Sequence, residues 1–434
     1  MSQETSNRGA RIADLTPQID GSQVNIRGWV YTKRLHGKLI FLTLRDSTGV
    51  IQVAIHKNHI EETQFEKARK VNVEAAVHVA GHVKADSRAP GGVEIQCLRF
   101  DVLGEAFDDY PLQKDAGIEF LLDKRHLHIR SPAIAATLRL KAHFIQSARD
   151  WLNKHQFTEV QCPILITVAC EGGSTLFPVE YFQRKAYLSQ SVQLYQEAAI
   201  TSLEKVYSIE PSFRAEKSRT RRHLTEFWQI EAEVAHASLE DIMNVQEALL
   251  VHSCNEILAQ SHTDFAIVKK QFTPPIPPFA RITYSQAVET LHGLDLEFEW
   301  GDDFGTVEER MLSNQYIQPV FVTHFPRQCK AFYHEPDPTN PEVTLSADLL
   351  APQGFGEIAG GGQRISDYDT LIQSLQQFNL IASDYDWYID LRRYGSVMHS
   401  GFGMGIERVL RWVLQLSHIR DACLFPRTPA RVYP

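Results

Sequence analysis

Hydrophobic and polar residues alternate with period two near the start of the chain. Val24, Ile26, Gly28 and Val30 alternate with Asn25, Arg27, Trp29 and Tyr31. Ile40, Leu42 and Leu44 alternate with Phe41, Thr43 and Arg45, and Ile51, Val53 and Ile55 follow a turn at Ser47-Thr48-Gly49. Period two puts one face of each strand in a core and leaves the other open. Further runs at 76–83 and 93–103 complete five strands, with one helix expected near 59–70. A segment of this size and kind predicts an OB-like barrel over residues 1–104. Residues 105–130 are expected as a hinge, polar and irregular over 105–118. Ser131-Pro132 then opens a helix to about Lys154, since serine can cap and proline is tolerated at the first helical position. Its expected stripe is Ile134, Leu138, Ile145, Ala148 and Leu152. Strands and helices alternate from there to the C-terminus, with a loop at Pro274, Pro275, Pro277 and Pro278. The fold class predicted is α+β: the barrel, then a second domain over 131–434.

Composition narrows the picture. The 434 residues allow two or three domains and a large core. No apolar run approaches the roughly 20 residues of a membrane span, and Met1 to Arg11 is polar, without the apolar core of a signal segment. A cytoplasmic enzyme is the expectation. The six cysteines form no CxxC pair, which argues against a zinc knuckle or redox motif and for scattered reduced thiols. The formal charge of −9 argues against a general nucleic-acid coat. The first 105 residues nevertheless carry two more basic than acidic side chains, and the remainder a net −11, so the barrel is the part suited to meet phosphate. On the barrel, Phe41 stands among polar residues on an open strand face. It is either a stacking platform for a single-stranded base or a ring covered by other chain.

Three segments of the second domain carry chemistry. Phe213-Arg214-Ala215-Glu216, a loop with Lys217, Arg219, Arg221 and Arg222, and then Arg222 to Phe227 read as a hairpin, with strand resuming at Trp228. It would aim Arg214 and Glu216 from one strand and Phe227 from the next. Arginine offers a donor fork for phosphate oxygens and phenylalanine a face for a purine; a solvated basic hairpin is the alternative. Gly401-Phe402-Gly403-Met404-Gly405-Ile406-Glu407-Arg408 runs into an apolar helix from Val409 to Leu416. Its glycines permit close approach of a ligand, or simply tight strand–helix packing. Gly356 to Arg364 places a carboxylate, Glu357, and an anion-binding Arg364 on one close-packed strand.

In this order and spacing the segments resemble class II aminoacyl-tRNA synthetases of the aspartyl and asparaginyl subgroup, and archaeal-type asparaginyl members in particular. The likeness runs from about Val24 to Pro434. It is carried by Gly28-Trp29-Val30, Phe41 with Leu44-Arg45-Asp46, Arg125-His126-Leu127, Glu171-Gly172-Gly173, Gln190-Ser191 with Gln193-Leu194-Tyr195, Phe213 to Glu216, Arg222 to Trp228, Gly401 to Arg408 and Phe425-Pro426-Arg427. The resemblance implies an N-terminal OB-fold anticodon domain. It also implies a class II catalytic domain built on a mostly antiparallel sheet flanked by helices, and a homodimer with Pro163 at its interface. ATP and Mg²⁺ are implied as cofactors. Arg214 would meet the α-phosphate, Glu216 the adenine amino group, His223 the γ-phosphate with Arg222 beside it, Phe227 the adenine face, and Arg408 the opposite side of ATP. Glu357 would hold Mg²⁺, with Asp348 as a second candidate. Glu171, Gln193, Glu231 and Arg364 would bind the amino acid; Phe41, Arg34 and Gln52 would meet the tRNA anticodon.

The implied reaction is ATP-dependent attachment of asparagine to its tRNA through an aminoacyl-adenylate. Aspartyl members usually carry lysine after the Gln-Leu-Tyr/Phe segment, where this chain has Gln196, and aspartate at the position of Glu231. Asparaginyl members usually read Gly-Gly-Ser-Gln-Arg-Glu, whereas this chain reads Gly361-Gly362-Gln363-Arg364-Ile365. Three alternatives follow. One is an aspartyl enzyme, serving tRNA-Asp alone or both tRNA-Asp and tRNA-Asn. Another is a paralogue serving a different pathway. The third is a synthetase-like protein that charges no tRNA.

Overall fold

The computed structural model describes residues 9–113, 115–171, 175–217 and 220–434. Gly172, Gly173 and Arg219, named above, lie outside the described residues. The chain divides into two compact units, Met1–His128 and Ile129–Pro434.

The first unit is a closed barrel. Its strands are β1 (Gln23–His36), β2 (Leu39–Arg45) and β3 (Val50–His56), then helix α1 (Glu62–Lys70), β4 (Ala76–Ala85) and β5 (Val93–Gly104). The order round the barrel is β1-β2-β3-β5-β4, and only the β3–β5 pairing is parallel. The alternation read from sequence is the burial pattern observed: Val24, Ile26, Val30, Ile40, Leu42, Leu44, Ile51, Val53 and Ile55 are all interior. Closure removes the sheet edges that an open sheet of this size would expose.

After the barrel the chain is irregular over the described residues of 105–117, then forms two short helices, α2 (Ile118–Asp123) and α3 (Arg125–His128). The expected hinge is thus partly helical; helices of six and four residues are too short to write a 3.6-residue period. In the second unit α4 (Pro132–Lys154) starts with Pro132 at its first turn as expected, but Ser131 makes no side-chain capping bond. Its buried face is Ala136, Leu140, Phe144, Ala148, Trp151 and Leu152, while Ile134, Leu138 and Ile145 are half-buried. The core-facing stripe is therefore rotated from the predicted one, because helical packing is chosen by the neighbours and not by apolar residues alone.

The remaining elements follow in chain order. They are β6 (Thr158–Glu159), β7 (Leu165–Ile166), β8 (Pro178–Tyr181), β9 (Arg184–Leu188), α5 (Gln193–Leu203), β10 (Lys205–Phe213), β11 (Glu226–Ala235), α6 (Leu239–Gln260), α7 (His262–Val268), β12 (Ala280–Thr283), α8 (Tyr284–His292), α9 (Thr306–Ser313) and β13 (Val320–Thr323). The C-terminal third holds β14 (Pro336–Asp337), β15 (Asn340–Thr344), β16 (Ser346–Ala351), β17 (Gly356–Arg364), α10 (Tyr368–Gln377), α11 (Asp386–Arg393), β18 (His399–Gly405) and α12 (Ile406–Val413). An eight-stranded sheet runs β12-β13-β16-β17-β18-β11-β10-β6, antiparallel except at its two outermost pairs. One face packs on α4, α6 and α12 through a core that includes Phe144, Leu152, Leu250, Ile257, Phe402 and Leu410. The three chemical segments, which lie apart in sequence, become neighbouring strands: β11 pairs with β18 and β18 with β17.

Candidate active site

The open side of the β11–β18–β17 sheet floors a cavity of about 720 Å³. Glycines are needed where the strands come together. A side chain at Gly401 would run into the Glu233 carboxylate, and one at Gly360 would stand 3.1 Å from Asp348 Oδ1 and 3.4 Å from Glu357 Oε1.

One end of the cavity gathers four cations, each matched by a carboxylate. Arg214, just beyond the end of β10, has its Nη2 2.6 Å from Glu171 Oε2. Arg408, in the first turn of α12, donates from Nη1 to Glu357 Oε2 at 2.6 Å. Arg222 pairs with Glu309, and Lys330 Nζ lies 2.6 Å from Asp348 Oδ2. Arg214 and Glu216 sit in the loop that follows β10 rather than in the strand, and β11 starts at Glu226, so Phe227 is inside it. Phe227, Arg214, His223, Glu216 and Arg408 also line a smaller adjoining cavity, with the Arg214 guanidinium 5.5 Å from the Phe227 ring centre. At that distance the guanidinium rests against the ring as a cation–π contact. Burial, with Arg408 and Arg222 nearby, lowers His223 to about 4, so it is a neutral imidazole that can donate one hydrogen bond without adding charge.

The carboxylates at this end suit a hard divalent cation. Asp348 Oδ1 and Glu357 Oε1 converge over side-chain-free Gly360. Burial and then the neighbouring Glu357 push Asp348 up to about 7, against the pull of Lys330; Arg408 and Lys330 outweigh burial at Glu357 and hold it down at about 2. Among the described residues no group of three or more side chains forms a complete metal cage. Mg²⁺ usually takes one or two carboxylates and fills its octahedron with water and phosphate oxygens, so the Asp348–Glu357 pair is a donor set of the kind it uses.

The other end is lined by Gln193, Gln196, Glu231 and Arg364, with Glu171 between the two ends. Arg364, buried, donates from Nη2 to Glu233 Oε1 at 2.6 Å and from Nε at 3.2 Å, and stands 5.2 Å over the Tyr333 ring. Glu231 is buried too: the Ser191 hydroxyl donates to its Oε1, and the Val192 N–H to its Oε2 at 3.0 Å. Burial pushes Glu231 up to about 7 despite those donors. Glu171 accepts from Tyr333 Oη at 3.3 Å. Gln193 is tied through Nε2 to Glu197 Oε1 at 2.9 Å, and Glu197 is held by Arg392, His399 and Tyr388.

Both sequence departures have a packing cause. A side chain at Gly362 would stand 2.6 Å from Leu345 O and 2.8 Å from His334 Nδ1, so His334 occupies the room that a serine there would need. Ile365 is fully buried in an apolar cluster with Phe332, Leu371 and Tyr388.

On the barrel, Arg34 pairs across the strands with Phe41, its guanidinium 5.8 Å from the ring, and donates to Gln52 Oε1 at 3.1 Å. The structure thus brings together all three residues singled out for this face, with Phe41 half-buried. Sequence reasoning missed Lys330, Glu309, Glu197, Tyr333 and Glu233. Glu233 had a signal, being two residues from Glu231 and so on the same face of β11; Lys330 had none, since it lies in an irregular segment.

Similarity to known proteins agrees with this geometry. The family model described as tRNA synthetases class II (D, K and N) matches residues 117–429, and one described as OB-fold nucleic acid binding domain matches 24–103. An asparagine–tRNA ligase of Thermococcus kodakarensis is 50% identical over 97% of this chain and 98% of its own length; one of Chloroflexus aurantiacus is 46% identical over 95% and 96%. The structure of asparaginyl-tRNA synthetase from Pyrococcus horikoshii, complexed with asparaginyl-adenylate, superposes with a TM-score of 0.94 at 48% identity, covering 99% of this chain and all of that one.

Proposed function

The chain belongs to the class II tRNA synthetases of the D, K and N type, and we propose that within this family it is the ligase for asparagine. It activates asparagine with ATP and attaches it to tRNA through asparaginyl-adenylate, as the similarity to asparagine–tRNA ligases along nearly the whole chain supports. The observation that carries the choice of amino acid is the charge of the side-chain subsite. Its Arg364 is already balanced by Glu233, and the cavity wall beside it presents the uncharged Gln196 and the carboxyl of Glu231. A carboxylate substrate would add a second negative group there; an amide does not.

In the first step an oxygen of the substrate carboxylate attacks the α-phosphorus of ATP, a new O–P bond forms, and pyrophosphate leaves. Arg214 and Arg408 bind the charge that builds on the phosphate oxygens. Phe227 and Glu216 hold the adenine, Arg222 and His223 the outer phosphates, and Glu171 the substrate ammonium once Arg214 turns to phosphate. Glu357 and Asp348 would hold Mg²⁺, which when bound supplies Lewis-acid neutralisation of the phosphates. In the second step the 3′-terminal ribose hydroxyl of tRNA attacks the adenylate carbonyl, AMP leaves, and the hydroxyl proton passes to a phosphate oxygen of the departing AMP. No covalent enzyme intermediate is needed; positioning and electrostatics do the work.

Residues 1–104 form the anticodon-binding domain in this reading, with Phe41 stacking on a base between Arg34 and Gln52. Residues 131–434 form the catalytic domain, acting as a homodimer in the cytoplasm. Among the described residues no helix is long and apolar enough to cross a membrane. The test is ATP–pyrophosphate exchange with all twenty amino acids, followed by charging of tRNA-Asn and tRNA-Asp transcripts. Asparagine-dependent exchange and charging of tRNA-Asn are expected. Aspartate activated as well as asparagine would refute the choice, and exchange without charging of either tRNA would point to another acceptor.

A further inference from the structure

Leu312 is fully buried in an apolar cluster with Tyr284, Val322 and Phe325, so α9 packs by the face that carries it. Glu309 stands one turn earlier on that face and is buried with it. A carboxylate is thereby carried inside the protein, to the wall of the large cavity.

Three donors converge on it. Arg222 donates from Nη2 to Oε1 at 2.7 Å and from Nη1 to Oε2. The backbone N–H of Glu357 donates to the same Oε2 at 2.7 Å. The strand is shaped around this junction. Gly356 has a φ of +76°, and a Cβ there would stand 2.7 Å from Glu309 Oε2 and 2.9 Å from Arg222 Nη1. Glycine is needed both for its backbone and for its missing side chain.

A single carboxylate from α9 thus joins the arginine of the loop between β10 and β11 to the strand that carries Glu357. The Arg222 and Glu309 side chains are only 10% and 7% exposed. Taking two charges out of water offsets much of their attraction, so such a pair adds little net stability. What it fixes is position, because a guanidinium held at both Nη atoms is set in place and in plane.

We infer that Glu309 is a positioning residue for the outer phosphates of ATP. It aligns Arg222 directly and sets Glu357 through the backbone N–H, so that the cation and the metal-side carboxylate meet the same end of the nucleotide. Glu309 acts through these two residues. The inference rests on the ATP site of the reading above and is indifferent to which amino acid is activated. Glutamine cannot do the same. A carboxylate accepts at both oxygens, whereas a carboxamide has one acceptor and turns its NH2 against the guanidinium or the Glu357 N–H.

The experiment compares ligands that have outer phosphates with one that has none, in wild type and Glu309→Gln. In pyrophosphate exchange the KM for ATP and the KM for pyrophosphate should each rise about 10–100-fold, the range for losing the partner that orients a ligand. The KM for asparagine should stay near wild type. Asparaginyl sulfamoyl adenosine, an unreactive adenylate mimic without outer phosphates, should keep its inhibition constant. A merely structural role would weaken the mimic and ATP together. Three results in the folded variant would overturn the inference: an unchanged KM for ATP, a mimic weakened as much as ATP, or a KM for ATP that falls because Glu309 competes with phosphate for Arg222. Should Glu309→Gln not fold, Gly356→Ala takes its place, since the added methyl displaces the Glu309 carboxylate without removing a charge. The same split is expected of it, and the same results would count against it. A wild-type protein that shows no exchange with any amino acid would instead overturn the ATP reading, before any variant is made.

Discussion

Replacing Arg214 with alanine separates the contribution of this residue to the fold from its contribution to the chemistry. In the fold it pairs with Glu171, and the two side chains are 31% and 35% exposed. Pairs that open to solvent are worth about 0–1 kcal/mol, and the stacking on Phe227 adds about 0.5–1 kcal/mol. Against a typical unfolding free energy of about 5–15 kcal/mol, the variant stays folded. In the reaction Arg214 is a preorganised donor to charge that appears only in the transition state. Its Nε is buried and has no hydrogen-bond partner. Loss of one such contact costs about 2.7–4 kcal/mol, or about 10²–10³ in rate. Asparagine-dependent pyrophosphate exchange should fall by that factor, chiefly in kcat, with the melting temperature shifted by a few degrees at most. Arg214→Lys should recover little, because the ammonium lacks the planar fork. A folded Arg214→Ala enzyme within about threefold of wild type would remove Arg214 from the phosphate site and refute the reasoning.

Phe41→Ala should weaken charging of tRNA by about 1–3 kcal/mol while sparing tRNA-independent exchange; an equal loss in both assays would make the ring structural. Glu357→Gln should raise the magnesium concentration needed for half-maximal exchange by more than the roughly 10–100-fold typical of losing a ligand's outer partner, and an unchanged magnesium titration would exclude it as a ligand. Glu231 supplies a pH dependence. Its carboxyl is raised from 4.5 to about 7 in the folded protein, so between those values the folded chain keeps a proton that the unfolded chain releases. Its contribution to stability therefore declines as pH rises through that window. As it ionises it also repels an aspartate side chain, so asparagine-over-aspartate selectivity in exchange should grow from about pH 6 to about pH 8; Glu231→Gln should flatten both trends, and a profile that persists in the variant would assign them elsewhere.

The sequence by itself determined the elements and the kinds of chemistry. Val24 to Ile55 write the barrel because side chains on a strand alternate sides, so burial is legible residue by residue. Arg214, Phe227, Glu357 and Arg408 could be named because their segments carry local signals, a charged hairpin and glycine runs, in an order that resembles one family. The rotated stripe of α4 shows where local pattern stops: Ile134 and Leu138 are apolar, yet the neighbours bury Ala136 and Leu140. The tertiary structure alone decided which charges meet. Arg364 reaches Glu233 across 131 positions, Arg222 reaches Glu309 across 87, and Lys330 closes on Asp348 from a segment with no signal. It also decided that His334 takes the space left by Gly362, and that both hydrogens of Gln196 turn towards the sheet. The reason is one of range. Periodicity records how a residue faces its own strand or helix. The partner of a buried polar atom depends instead on strand order and close packing, which join residues that no local pattern relates.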